Sequence, residues 1–223
     1  MIYLKAEEEK MNNFDFLSYF QNEQNLSNEK LNDIIFTPYK VGELVLTSGK
    51  LVACDPLTLA DSEPFTFNFV PDRYPVILSI AHIQWNNSRR VAYAMLCLSE
   101  QTPVRWEMAT HPAEDLSSLQ EDEFFGYGVD SGTGCFMDAD TAEIINDSIY
   151  SKNTYQETLI YKLNYELEKN YIPTYDWADM CVDHSTQANV IAFSSGWGDG
   201  TYPTYFGFNT ENKIVKVITD FHL

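Results

Sequence analysis

Most of the chain after residue 41 consists of short apolar stretches separated by turns rich in Gly, Asn, Asp and Pro. In one stretch Phe65, Phe67 and Phe69 alternate with Thr66 and Asn68, which is typical of a strand with one buried face. Other stretches are continuously apolar, as buried central strands are. The pattern predicts strands at residues 44–47, 51–54, 64–70, 76–83, 91–98, 104–108, 124–129 and 190–193, and a closing hairpin that turns near 209–212.

Helical periodicity is concentrated in one region. Leu159, Leu163 and Leu167 recur every four residues within residues 142–171, which predicts a helix packed on the sheet. Near the N-terminus, a spacing of three residues predicts one short amphipathic helix, formed around Met11, Phe14 and Leu17. A polar connector follows this helix and continues to residue 33.

These elements predict an α+β fold. We expect a mainly antiparallel β-sheet or a two-sheet sandwich, with one substantial helix near residues 153–170 and a peripheral N-terminal helix. The clearest hairpin in the first half is predicted at Ser48-Gly49, joining residues 44–47 to 51–54. Residues 1–40 are interpreted as a helical arm and residues 41–223 as one β-rich domain, and we find no internal repeat.

Charge narrows the range of partners. Asp and Glu number 33 against 14 Lys and Arg, giving a net charge of −19. A chain this acidic repels the phosphates of nucleic acids and anionic membranes, so neither is an expected ligand. A basic protein, a metal ion or an amine is the kind of partner that such a field attracts.

Two further patterns suggest a cytoplasmic protein. The sequence has no apolar run long enough to span a membrane and no basic stretch followed by an apolar run at its start. The cysteines are widely spaced and form no C-x-x-C motif, so we interpret them as reduced thiols rather than zinc ligands: Cys54, Cys97, Cys135 and Cys181.

Two segments, residues 124–138 and 194–207, combine Gly, Asp and aromatic residues and could line one site. Asp130, Asp138 and Asp199 could hold a hard cation such as Mg²⁺ or Ca²⁺ for metal-assisted hydrolysis. Asp130-Ser131-Gly132-Thr133 also matches one half of an aspartic-protease motif, although no second copy follows. The alternative is that each Asp caps its own glycine turn.

The remaining candidates are arginines and aromatic residues. Arg73, Arg89 and Arg105 could line an anion pocket. They could instead form an internal network with carboxylates, namely Asp130, Asp138, Asp199 or Asp220. Trp197 and Tyr202 could belong to an aromatic binding surface, although such residues more often pack in cores and loops.

Several ordered blocks resemble a known family. GELVLTSGKLVACDP, RYPVILSIA, RVAYAMLCLSE, VRWEMA, FFGYGVDSGTGCFMD and FSSGWGDGTYPTYFGF are similar to the bacterial family called domain of unknown function 4241, over residues 41–221. The resemblance implies one domain that includes the Asp/Gly segments, and an association with inter-strain conflict loci, where acidic immunity proteins occur.

Two hypotheses about function follow. The first is a binding protein, such as an immunity factor that neutralises a basic protein toxin. The second is an Asp-centred hydrolase, with or without a divalent metal, and it requires the three carboxylates to converge in space.

Overall fold

The computed structural model describes residues 15–21, 24–25 and 34–223. Within these residues, thirteen strands form sheets of seven, four and two strands, and every strand pairing is antiparallel. The predicted α+β fold with mainly antiparallel sheets is confirmed. In the part of the chain that is described, no helix has the length and apolar content needed to cross a membrane.

The largest sheet has the strand order β1-β2-β4-β5-β13-β12-β6. Its strands are β1 (Gln24–Asn25), β2 (Ile34–Leu46), β4 (Asp72–Ile83), β5 (Ser88–Cys97), β6 (Arg105–Met108), β12 (Thr204–Phe208) and β13 (Ile214–Asp220). The smaller sheet has the order β3-β8-β10-β9, with β3 (Leu51–Cys54), β8 (Thr133–Asp138), β9 (Trp177–Asp183) and β10 (Ala188–Ser194). A short ribbon pairs β7 (Tyr127–Val129) with β11 (Gly200–Tyr202).

The sheets and helices form layers because β3, β8 and β10 are apolar on both faces, whereas β9 is apolar mainly on the face toward the helices. One face packs on the larger sheet in the main core, which includes Ala53, Phe136 and Phe193. The other face is covered by α1 (Ala139–Ser151) and α2 (Leu159–Lys169). Alternate strand residues therefore supply two separate cores.

The N-terminal prediction is only partly testable. Residues 1–14 lie outside the described residues, and Phe16–Phe20 form a 3₁₀ helix rather than an α-helix. Phe16 packs on the outer face of the larger sheet, with its ring 5.0 Å from that of Trp106 and 5.2 Å from that of Tyr205. Residues 34–40, which we had assigned to the arm, belong to β2.

Two local predictions were wrong, the hairpin at Ser48-Gly49 and the strand at residues 64–70. Residues 44–47 and 51–54 do not form a hairpin, since Ser48 and Gly49 carry the chain from the larger sheet to the smaller one. Residues 64–70 do not form a strand and make only an isolated bridge, between Lys50 and Asn68. The amides of Phe65 and Phe69 bond to residues 49–51 beside this bridge, whereas the amide of Thr66 bonds to Thr110. The predicted helix near residues 153–170 is present as α2, and a second helix, α1, precedes it, since residues 152–158 interrupt the helical region.

Candidate functional site

The structure brings the two glycine-rich segments together. Strand β7 pairs with β11, so that Val129 lies opposite Gly200. Beyond the paired strands, the amide of Ser195 donates a hydrogen bond of 3.0 Å to the carbonyl oxygen of Gly132. We call residues 127–132 and 195–202 together the glycine ribbon. Segments that are separated by more than sixty residues in the sequence thus form one surface.

A buried carboxylate supports the first half of this ribbon. Asp55 is fully buried, and its side chain accepts hydrogen bonds from the amides of Asp130 at 3.0 Å and Ser131 at 2.8 Å. The Ser131 hydroxyl donates a further bond of 2.7 Å, and the amide of Leu57 one of 2.9 Å. Several donors thus compensate the burial of a charge that would otherwise be costly. The Asp130-Ser131-Gly132 turn is therefore fixed by its hydrogen bonds to Asp55.

Asp138 has the same role in another turn. It is fully buried and accepts bonds from the amides of Ser48 and Gly49, at 3.0 and 3.1 Å, and from the Ser48 hydroxyl at 2.7 Å. It also caps α1 by accepting a bond of 3.0 Å from the amide of Asp140. Asp138 therefore anchors the chain where it crosses between the sheets and begins α1, so it caps a distant turn rather than the glycine turn of its own segment.

The two anchors form a pseudo-symmetric pair that the sequence analysis missed. Residues 47–55 read T-S-G-K-L-V-A-C-D and residues 130–138 read D-S-G-T-G-C-F-M-D, so each serine-glycine turn is followed by a strand and a closing Asp. Strands β3 and β8 pair antiparallel with Ala53 opposite Phe136. Each closing Asp therefore binds the turn that precedes the other strand. The repeated S-G-x₅-D spacing was the signal that could have identified Asp55.

Asp130 and Asp199 have a different environment. Both are exposed, and they occupy adjacent ends of β7 and β11, because Val129 and Gly200 are partners in the ribbon. Asp138 is instead at the far end of β8, bonded to Ser48 and Gly49. Within the described ranges, no three His, Cys, Asp or Glu side chains are placed to hold a metal ion. The three predicted carboxylates do not converge, so the geometry gives no support to the hydrolase hypothesis.

Trp197 is the most prominent side chain of the glycine ribbon. It is 54% exposed, although it lies between Gly196 and Gly198, which adopt φ values of +52° and +115° that disfavour other residues. The Arg90 guanidinium carbon lies 4.8 Å from the centre of the indole ring, in a cation–π contact. The turn thus presents a large aromatic ring to solvent in a defined position.

Tyr202 fixes this turn rather than contributing exposed surface. Its ring is buried, and its hydroxyl donates a bond of 2.7 Å to the carbonyl oxygen of Gly198. The Ser195 hydroxyl donates a second bond, of 2.8 Å, to the same oxygen. Burial raises the pKa of Tyr202, so the phenol stays protonated and keeps its donor at neutral pH.

The three predicted arginines do not join this surface through its carboxylates. Arg105 forms an ion pair with Glu107 and covers the ring of Phe208 at 3.9 Å. Arg73 and Arg89 are exposed on β4 and β5. Among the described residues no ion pair joins an arginine to an acidic residue of the ribbon or to Asp138 or Asp220, so the predicted internal network is not formed. Arg90, which we had not singled out, is the arginine that contacts the ribbon.

The ribbon lies in a part of the sequence that lacks positive charge. No Lys or Arg occurs between Arg105 and Lys152 or between Lys169 and Lys213, and these stretches supply both ribbon strands. The carboxylate of Asp61 is also nearby and accepts a bond of 3.3 Å from the amide of Gly128. Arg90 is thus the charged group in contact with Trp197, and the ribbon itself carries the exposed carboxylates of Asp130 and Asp199.

The fold and this surface define an α+β protein of layered antiparallel sheets that displays an aromatic turn on an acidic face. Comparison with protein families matched residues 44–219 to the family described as Protein of unknown function (DUF4241), and the chain belongs to that family. The predicted resemblance is confirmed. No curated protein and no solved structure matched the chain.

Proposed function

We propose that this protein is a binding protein whose glycine ribbon captures a basic protein, as an immunity factor that neutralises a basic toxin would. The observation that carries the proposal is Trp197, an exposed indole held by a hydrogen-bonded turn. Tryptophan is enriched among the residues that dominate binding energy at protein interfaces. A ring held in place before binding loses little conformational entropy when a partner covers it.

The charge around Trp197 supports a basic partner in particular. Asp130 and Asp199 are exposed beside the turn, and the whole chain carries a net charge of −19. Such a field accelerates the approach of a positively charged protein and disfavours acidic ones. The indole supplies contact area, and the carboxylates supply selectivity.

The test is a binding measurement with a purified basic protein, taken first from the products of the neighbouring genes. We expect isothermal titration calorimetry to detect binding, and Trp197→Ala to weaken it by about thirtyfold or more, as removal of a dominant interface residue does. Asp130→Asn combined with Asp199→Asn should slow association and reduce its dependence on salt concentration.

Tyr150→Ala is the matched control, because Tyr150 is 81% exposed on α1, in a different layer of the fold. It should leave the affinity unchanged. If the basic protein does not bind, or if Trp197→Ala and Tyr150→Ala bind equally well, the proposal is wrong.

A further inference from the structure

A second surface lies between α2 and strand β9, and it does not include the glycine ribbon. A groove of about 630 Å³ runs between these elements, lined on the helix side by Leu159, Tyr161 and Tyr165 and on the strand side by residues 179–182. Ile160, Leu163 and Leu167 are buried in the core below, whereas Tyr161 and Tyr165 are 37% and 58% exposed. The helix thus gives the groove an aromatic wall.

Strand β9 presents unpaired backbone groups to this groove. Among the strands of residues 15–21, 24–25 and 34–223, it is the last one of the smaller sheet and pairs with β10 alone. The amide of Ser194 bonds to the carbonyl of Asp176, which fixes the alternation of hydrogen-bonded pairs along the two strands. By that alternation, the amides and carbonyls of Asp179 and Cys181 point away from β10, toward the open edge.

We infer that this groove binds an extended, basic segment of a partner protein, which adds to β9 as a fifth strand of the smaller sheet. Strand addition beside a helix uses backbone hydrogen bonds for affinity and lets side chains on alternate positions enter the groove. The groove and the alternation of β9 supply both features. Exposed edges of this kind are known sites of strand pairing.

Charge identifies the occupant as a basic segment rather than a second copy of this chain. The helix side of the groove carries Glu166 and Lys162, whose charges offset each other. Strand β9 carries Asp179 and Asp183 on the face opposite α2, where side chains of an added strand would lie beside them. Residues 170–212, which include β9, contain no Lys or Arg. Pairing two copies through β9 would bring these carboxylates together between chains that each carry a net charge of −19. A segment with Lys or Arg at alternate positions meets no such repulsion.

The probe is a phage-displayed library of random dodecapeptides, selected on the intact protein. We expect the selected peptides to carry net positive charge and to bind as synthetic peptides in a fluorescence-anisotropy titration. Cys181→Pro should weaken this binding about tenfold or more, because proline removes an outward amide while leaving the bonds to β10 intact. Cys181→Ala keeps the amide and should bind within about twofold of the wild type.

Two further measurements complete the test. If Cys181→Pro fails to fold, methylation of alternate backbone nitrogens in the selected peptide removes the same hydrogen bonds from the ligand side and should abolish binding. Trp197→Ala should leave peptide binding unchanged, so failure here is distinguishable from failure of the proposed ribbon function. Enrichment of no peptide, enrichment of acidic peptides, or equal binding to Cys181→Pro would overturn the inference. A dimer in analytical ultracentrifugation that Cys181→Pro dissociates would overturn it in favour of self-pairing.

Discussion

Asp55 and Asp138 differ from Asp130 and Asp199 in what surrounds them, although all four are aspartates in or beside glycine turns. The first two are fully buried and accept several hydrogen bonds each from serine-glycine turns. The second two are exposed at the end of the glycine ribbon. Residue type and local motif therefore do not tell a structural aspartate from an exposed one. The difference is set by the number of hydrogen-bond donors that the fold brings to each carboxylate.

The largest expected effect is the loss of a buried anchor. Asp138→Ala leaves the amides of Ser48, Gly49 and Asp140 without their acceptor, so we expect unfolding in urea to show a loss of about 3 kcal/mol or more. Asp55→Ala should cost a similar amount, because Asp55 occupies the equivalent position.

Asp140→Ala is the control for this prediction, since it removes an exposed carboxylate two residues from Asp138 and should cost less than about 1 kcal/mol. Equal losses for Asp138→Ala and Asp140→Ala would contradict the anchoring role. A cost for Asp55→Ala that is far below that of Asp138→Ala would contradict the pseudo-symmetry.

A smaller effect is expected at Asp220, a largely buried carboxylate that accepts a bond of 2.8 Å from the amide of His222. Burial raises the pKa of Asp220 above its usual value, although the His222 amide opposes this shift. The folded-state pKa then exceeds the unfolded one, so the contribution of this group to stability declines as pH rises through the folded pKa. Asp220→Asn should therefore melt at a higher temperature than the wild type near pH 7, with a difference that narrows toward pH 4.

Asp183 provides the control of opposite sign. Hydrogen bonds from the Ser185 amide and the Thr186 hydroxyl lower the pKa of Asp183. Its contribution to stability is present at neutral pH and is lost as pH falls through the folded pKa, so Asp183→Asn should melt below the wild type near neutrality and match it in acid. Melting curves that shift in the same direction for both variants would show that burial does not govern Asp220.

The smallest effect is expected at the exposed pair. Asp130→Asn and Asp199→Asn should each change the free energy of unfolding by no more than about 0.5 kcal/mol, as substitutions at exposed positions usually do. Mg²⁺ or Ca²⁺ should leave the melting temperature unchanged, because no third carboxylate of the described residues joins these two. A cation-dependent rise in melting temperature that both variants abolish would instead establish a metal site.

The strands were the part of the fold that local sequence predicted best. Residues 76–83 of β4 and 91–97 of β5 are mostly apolar and lie buried in the larger sheet, and β12 and β13 form the predicted closing hairpin. A strand that is buried on both faces has a continuous run of apolar residues, whereas a strand buried on one face has apolar residues at alternate positions. The family relationship was also evident from ordered sequence blocks, and residues 44–219 match it.

The turns were predicted less well, because their conformation depends on distant groups. Ser48-Gly49 has the composition of a hairpin turn, but the Asp138 carboxylate, ninety residues away, holds it as a crossing between sheets. The three phenylalanines of residues 65–69 alternate with polar residues, as in a strand, and all three rings contact Phe206. The backbone amides of Phe65 and Phe69, however, bond to Leu51 and Gly49 outside the sheet that contains Phe206. Periodicity predicts which side of the chain is buried, and hydrogen-bond partners require the tertiary structure.

The sequence by itself determined the fold class, the positions of most strands, the strong negative charge and the two glycine-rich segments. Only the tertiary structure decided that these segments form one ribbon, that Trp197 is exposed upon it, and that Asp55 and Asp138 are anchors. The physical reason is that burial and the supply of hydrogen-bond donors are properties of the whole fold. Both arise from strand pairings such as β3 with β8, whose partners lie more than eighty residues apart.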